Sequence, residues 1–245
     1  LTTGIWWFGF AQYTFYYLPS NVYQRNPKGS WILNGVKELR KVLNQVKELR
    51  LLKRYLLAYF FFNMGVQTVM YVATLFGIEE LKLPSDNLII TILIIQLVAI
   101  AGAYGFAALS SRYGNIRALI IAVVIWIGIC IAAYFTTTAL EFYMLAAVVG
   151  SVMGGIQSLS RSTYSKLIPT TTQDHASYFS FYDITEKVSI MLGTLAYGVV
   201  AQLTGSMRYS ILALILFFLL GLIFLSLIKG KRSLEPQGEA EAVVR

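Results

Sequence analysis

The chain has 245 residues, 57% of them hydrophobic and only 13% charged, where a soluble globular protein carries roughly 25% charged residues. A single cysteine, Cys130, and a single histidine, His175, exclude a disulfide framework, a cysteine-rich metal site and a histidine cluster, so no cofactor or metal is expected. The net charge of +8 could suit nucleic acid, but a bilayer-embedded chain collects Lys and Arg in its cytoplasmic loops, so the charge reads as orientation and no nucleic-acid partner is expected.

In chain order, seven uncharged runs approach or exceed the about 20 helical residues that cross the hydrocarbon layer. They are Leu1 to Gln24, Tyr55 to Ile78, Asn87 to Ser111, Ala118 to Leu140, Phe142 to Ser160, Val188 to Met207 and Tyr209 to Ile228. The expected fold class is an all-α multi-pass membrane protein with about seven transmembrane helices. Four segments are expected: a transmembrane helix over 1–19, a basic cytoplasmic linker with an amphipathic helix over 20–54, a six-helix transmembrane half over 55–229, and a disordered cytoplasmic tail over 230–245. The chain starts at Leu1 already inside a span, the pattern expected of a piece of a longer protein.

Seventeen of the twenty Lys and Arg fall in the linker, the turn around Arg112 and Arg117, the segment from Arg161 to Ser177, and the tail. The alternate loops hold only Lys82 and Arg208, and Lys187 lies within a span. The positive-inside rule puts the first group in the cytoplasm. Within the linker, Ile32, Val36, Leu39, Leu43, Val46 and Leu49 recur at helical spacing between basic residues, and VKELR occurs twice. Such a helix lies on the membrane surface with its apolar face toward acyl chains or protein, or serves as a solvated tether.

Four stretches carry a resemblance: YLLAYFFFNMGVQTVMYVATLFGIEEL from Tyr55, GFAALSSRYGNIRAL from Gly105, GGIQSLSRSTYSKLIP from Gly154, and FSFYDITEKVSIMLGTLAYGVVAQLTGS from Phe179. The chain resembles the major facilitator superfamily, and within it the vacuole-effluxer-like family related to autophagy-linked vacuolar amino-acid effluxers. The resemblance implies a helix bundle in which residues 1–19 are the sixth helix and the rest helices seven to twelve, so the partner of this chain is a missing N-terminal transmembrane half. It also implies the superfamily loop between helices eight and nine. There Arg112 and Gly114 match, Arg117 lies near a usual basic position, and Ser111 stands where an acid is usual. That loop either latches the cytoplasmic ends of opposite halves or anchors a tight turn.

Polar side chains inside spans are costly and face cavities or protein neighbours. Asn63 and Gln67 lie roughly 13 and 20 Å deep from Arg54, and Gln96 lies roughly 13 Å deep from the other side. Asn63, Gln67, Tyr71 and Gln96 are expected to line a substrate cavity near the midplane, the alternative being hydrogen bonds that only tie helices together. Gly150, Gly154, Gln157 and Arg161 share a helix face, with the glycines allowing close approach and Gln157 added to the cavity set. Arg161 either binds a carboxylate or snorkels to the interface. Asp183, Glu186 and Lys187 follow on the eleventh helix, where Asp183 and Lys187 are spaced to neutralise one another. In the other reading, Asp183 or Glu186 pairs with the missing half and closes a cytoplasmic gate. Arg112, Arg117, Arg161, Asp183, Glu186 and Lys187 therefore form the candidate gate and ion-pair set.

The expected function is secondary active transport of a small polar solute by alternating access. The resemblance points to amino acids, with protons as a further partner beside membrane lipid. The expected location is the cell membrane, with a vacuolar membrane as the alternative. No GxxxxGK[ST] loop occurs, so nothing supports nucleotide hydrolysis. A transport-inactive sensor or scaffold on the same fold is the competing class. A membrane-embedded enzyme is a poorer one, since no reactive constellation lies at membrane depth.

Overall fold

The structure is a computed structural model and describes residues 1–18, 31–170, 172 and 174–228. Among these residues every regular element is an α-helix, and the chain divides into two compact units, Leu1–Glu38 and Leu39–Arg245. The expected tail over 230–245 lies outside the described residues.

The first unit holds α1 (Thr2–Tyr17) and the start of α2 (Trp31–Glu48). Along α1 the aromatic residues pair at helical spacing, Trp6 with Phe10 at 4.7 Å and Tyr13 with Tyr17 at 4.6 Å between centroids. The described part of α1 has 16 residues, or roughly 24 Å of helix.

The second unit contains α3 (Arg50–Glu79), α4 (Ser85–Tyr113), α5 (Asn115–Phe135), α6 (Ala139–Leu167), α7 (His175–Thr204) and α8 (Met207–Ser226). All six are long and apolar enough to cross a membrane, and the protein is an integral membrane protein built as a helical bundle. Short connections reverse the chain between consecutive helices, but the most extensive packing joins non-consecutive ones, α4 with α6 and α3 with α8. The tightest connection is the α4–α5 turn at Gly114, whose φ of 87° is a conformation that side chains rarely adopt.

Without a hydrophobic driving force between helices in lipid, association relies on close packing and interhelical hydrogen bonds. The α4–α6 crossing shows this most directly. A Cβ on Gly150 would lie 2.6 Å from the Ile95 carbonyl oxygen, and one on Gly154 would lie 2.5 Å from that of Ala99. Gly102 on α4 meets the Ser151 backbone in return. The sequence expectation that these α6 glycines allow close approach therefore has its neighbour in α4. The α3–α8 contact is also reciprocal: Phe218 fills the space over Gly65, and Phe62 the space over Gly221. Trp126 of α5 stacks on Phe218, both fully buried.

Hydrogen bonds tie the ends. The Arg54 guanidinium donates to the Leu227 carbonyl at the close of α8 (3.3 Å), satisfying one of the carbonyls that a helix end leaves without an intrahelical partner. At the opposite end, Glu80 accepts from the Met207 amide at 2.9 Å and pairs with Arg208 at 3.3 Å, while Arg208 also donates to the Tyr134 carbonyl. This clasp joins α3, α5 and α8.

The second half of α2 belongs to the bundle. Val42 and Val46 are buried in its hydrophobic core, and Lys41 donates to Asp174 at the start of α7, at 2.7 Å. Here the structure corrects the apolar stripe expected from spacing: Leu43 is partly exposed, and Val42, absent from that stripe, is fully buried. The helix turns its 42/46 face to protein. The side chain of Ile32 lies outside the described residues.

Candidate functional site

A cavity of about 230 Å³ opens where α3, α6 and α7 meet. Its polar lining comes from Asn63 and Gln67 on α3, Gln157, Ser160 and Arg161 on α6, and Glu186 on α7. Each helix contributes residues three or four apart, which is how a helix presents a stripe to one neighbour. The structure thus brings together five residues expected from sequence: Asn63, Gln67, Gln157, Arg161 and Glu186.

Asn63 is only 4% exposed and donates from Nδ2 to Ser189 Oγ on α7 at 2.6 Å. Gln67 is half-buried and faces the same cavity. Arg161 crosses from α6 to α7, where its Nη2 pairs with Asp183 Oδ1 at 2.9 Å. Its guanidinium also sits 5.9 Å from the centroids of Tyr182 and Phe179. Both Arg161 and Asp183 side chains remain about half uncovered by this chain, at 59% and 49%. Lys187 approaches Glu186 at 3.8 Å, so the spacing-based Asp183–Lys187 pair does not form. A guanidinium with two forked donors reaching across the helix interface takes Asp183 instead.

Tyr71 and Gln96 are not brought to this cavity. Tyr71 is 64% exposed. A spacing of four residues overshoots a full turn by roughly 40°, so the stripe through Asn63 and Gln67 has rotated away from α7 by Tyr71. Gln96 borders a separate cavity of about 80 Å³ with Met70, Thr74, Thr91 and Met153.

The turn residues Arg112 and Arg117 are exposed, and among the described residues neither forms an ion pair. The turn is held instead by Asn115, which sequence reasoning passed over. Buried at 6% exposure, Asn115 accepts from Ser110 at 2.6 Å and from Lys166 at 3.3 Å, and donates to Thr163 at 3.1 Å.

Sequence reasoning also missed the aromatic wall. Tyr59 stacks on Tyr182 at 4.3 Å, and Tyr182 meets Tyr164 at 4.8 Å. Tyr164 donates to the Tyr178 carbonyl and Tyr55 to the Ser160 carbonyl, both at 2.7 Å, so α6 is tied to α7 and α3 to α6 beside the wall. One signal was available: Tyr59 lies four residues before Asn63 on the same face.

The cavity therefore offers amide groups, a guanidinium, a carboxylate and a stacked aromatic face, which suits a small polar solute bearing both signs of charge.

The family described as "vacuole effluxer Atg22 like" matches residues 1–238. A protein named "uncharacterized MFS-type transporter YxiO" from Bacillus subtilis is 34% identical over 203 residues, covering 82% of this chain and 46% of that protein. Autophagy-related protein 22 from Yarrowia lipolytica is 29% identical, covering 74% of this chain and 32% of its own length. The protein of the same name from Cryptococcus neoformans is 27% identical, with 98% and 46% covered. The chain thus spans less than half the length of these relatives. No solved structure matches it.

Proposed function

The chain belongs to the vacuole effluxer Atg22-like family, and from that premise we propose that it forms part of a secondary transporter that moves amino acids by alternating access. The observation that carries this is the α3–α6–α7 cavity, where Arg161 and Glu186 place opposite charges on one lining beside the amides of Asn63, Gln67 and Gln157. A zwitterion needs both signs within reach, and the amides, of which Asn63 is buried, give it directional partners without a net charge. The names carried by its relatives, a transporter and autophagy-related protein 22, support the same reading.

The remainder of the cavity is supplied by an N-terminal half beyond this chain, which packs against the uncovered Arg161–Asp183 pair and closes the cytoplasmic side in the outward-facing state. Arg112, Arg117 and Lys187 contribute to that closure, and protons are the candidate coupling ion. The linker and the tail are cytoplasmic, consistent with the distribution of Lys and Arg, and the membrane is the cell membrane. The test is counterflow of each of the twenty amino acids in vesicles reconstituted with the full-length protein. Flux that is saturable and weakened by Gln67→Leu is expected; absence of flux for every amino acid overturns the reading.

A further inference from the structure

Ser189 on α7 is fully buried, and its hydroxyl donates to the Glu186 carbonyl oxygen at 2.7 Å. A carbonyl can only accept, so the one hydroxyl proton is committed to that bond. The Asn63 side chain lies 2.6 Å from the same Oγ. With its proton committed, Oγ can only accept there, and the atom facing it must be the amide nitrogen. The oxygen Oδ1 is therefore turned away from Ser189. This orientation follows from the valence of three groups and does not depend on telling nitrogen from oxygen by position.

Asn63 lines the cavity, and among the described residues no donor reaches Oδ1. Among the described residues Oδ1 is not one of the fully buried atoms left without a partner, so it keeps open surface, where a donor on a solute can take the place of water. The lining is also ordered along α7. Arg161 meets this helix at Asp183 and Asn63 meets it at Ser189, six residues or roughly 9 Å further on, with Glu186 between them. The guanidinium end and the acceptor end of the cavity are thus separated along the membrane normal.

We infer that Ser189 is a positioning residue that holds the Asn63 amide with its oxygen toward the cavity, where it accepts from the ammonium end of the solute while the carboxylate turns to Arg161. The inference rests on the amino-acid reading above. It assigns Asn63 and Glu186 to the amino group, and it makes the buried Ser189 hydroxyl a determinant of specificity.

The test sets the tightest-binding neutral amino acid against its N,N,N-trimethylated betaine, which keeps the carboxylate and side chain but has no N–H donor. Both compete for flux in vesicles carrying the full-length protein. Wild type should prefer the amino acid by about ten-fold, the worth of one hydrogen bond from a charged donor. Asn63→Leu should lower that ratio several-fold, leaving the preference that Glu186 supplies. Ser189→Ala, which frees the amide to turn, should lower it several-fold. General loosening of the bundle weakens both solutes alike, so the ratio isolates the proposed contact. If Asn63→Leu does not reach the membrane, Ser189→Ala carries the test alone. An unchanged ratio in Asn63→Leu, an unchanged ratio in Ser189→Ala, or no preference in wild type overturns this inference and leaves amino-acid transport standing. A wild type that moves no amino acid overturns both.

Discussion

Two ion pairs of similar length have different consequences because water reaches them differently. Arg208–Glu80 closes at 3.3 Å with side chains 23% and 21% exposed, and Glu80 also accepts from the Met207 amide at the start of α8. Removing one partner leaves the other partly desolvated, so Glu80→Gln should cost about 1–2 kcal/mol, between the values for surface and buried pairs. Thermal unfolding in detergent measures it, and an unchanged midpoint would show that Arg208 is satisfied by the Tyr134 carbonyl alone. Arg161–Asp183 is shorter, at 2.9 Å, yet about half exposed. Asp183→Asn should therefore change stability by less than about 0.5 kcal/mol. Under the proposed function its effect belongs to transport: losing a pair that the opposite half would cover should shift the population toward the inward-facing state. Increased labelling of cytoplasmic-side cysteines in this variant checks that outcome.

Among the helices, stability rests on backbone approach more than on side-chain bulk. In Gly150→Ala the new methyl would meet the Ile95 carbonyl, a backbone atom that cannot swing aside. Separating α4 from α6 should cost about 1–3 kcal/mol. A methyl on Gly128 of α5 would meet nothing within 4 Å, so Gly128→Ala should be neutral or mildly stabilising, since alanine is the better helix former. Equal unfolding midpoints for the two variants would remove the crossing as a source of stability. The second half of α2 is held by Val42, Val46 and the Lys41–Asp174 pair. Val42→Asp buries a carboxylate and should release this segment, seen as faster proteolysis between Lys41 and Arg50 while α3 to α8 stay folded. An unaltered digestion pattern would mean that α2 is held by other contacts.

At the scale of the whole molecule, orientation is the prediction that local structure cannot make. Lys47 on α2 and Lys82 in the α3–α4 connection are both exposed, and the charge distribution puts them on opposite sides of the membrane. Lys82→Cys should react with an impermeant thiol reagent added to intact cells and Lys47→Cys should not, with the buried Cys130 silent in both. The reverse pattern would invert the topology. The spans were legible because hydrocarbon demands a long uncharged helix and nothing shorter satisfies its backbone. That demand falls on contiguous sequence. The α6 glycine stripe was legible for the same reason, since spacing along one helix defines its face. The cavity was legible only in part. Asn63, Gln67 and Gln157 stand out as polar residues at membrane depth, but the four-residue spacing that links Tyr71 to Asn63 drifts around the helix, and only the placement of α7 decides where the stripe leaves the cavity. Asp183 is spaced to meet Lys187, yet it meets Arg161, 22 residues away, and Asn63 meets Ser189, 126 residues away. Amino-acid sequence by itself determined which segments enter the bilayer and which polar residues go with them, because solvent acts on each segment separately. Which of those residues face one another, and which way the Asn63 amide points, was decided by the tertiary structure, because a hydrogen bond depends on two groups that only the packing of different helices brings within 3 Å.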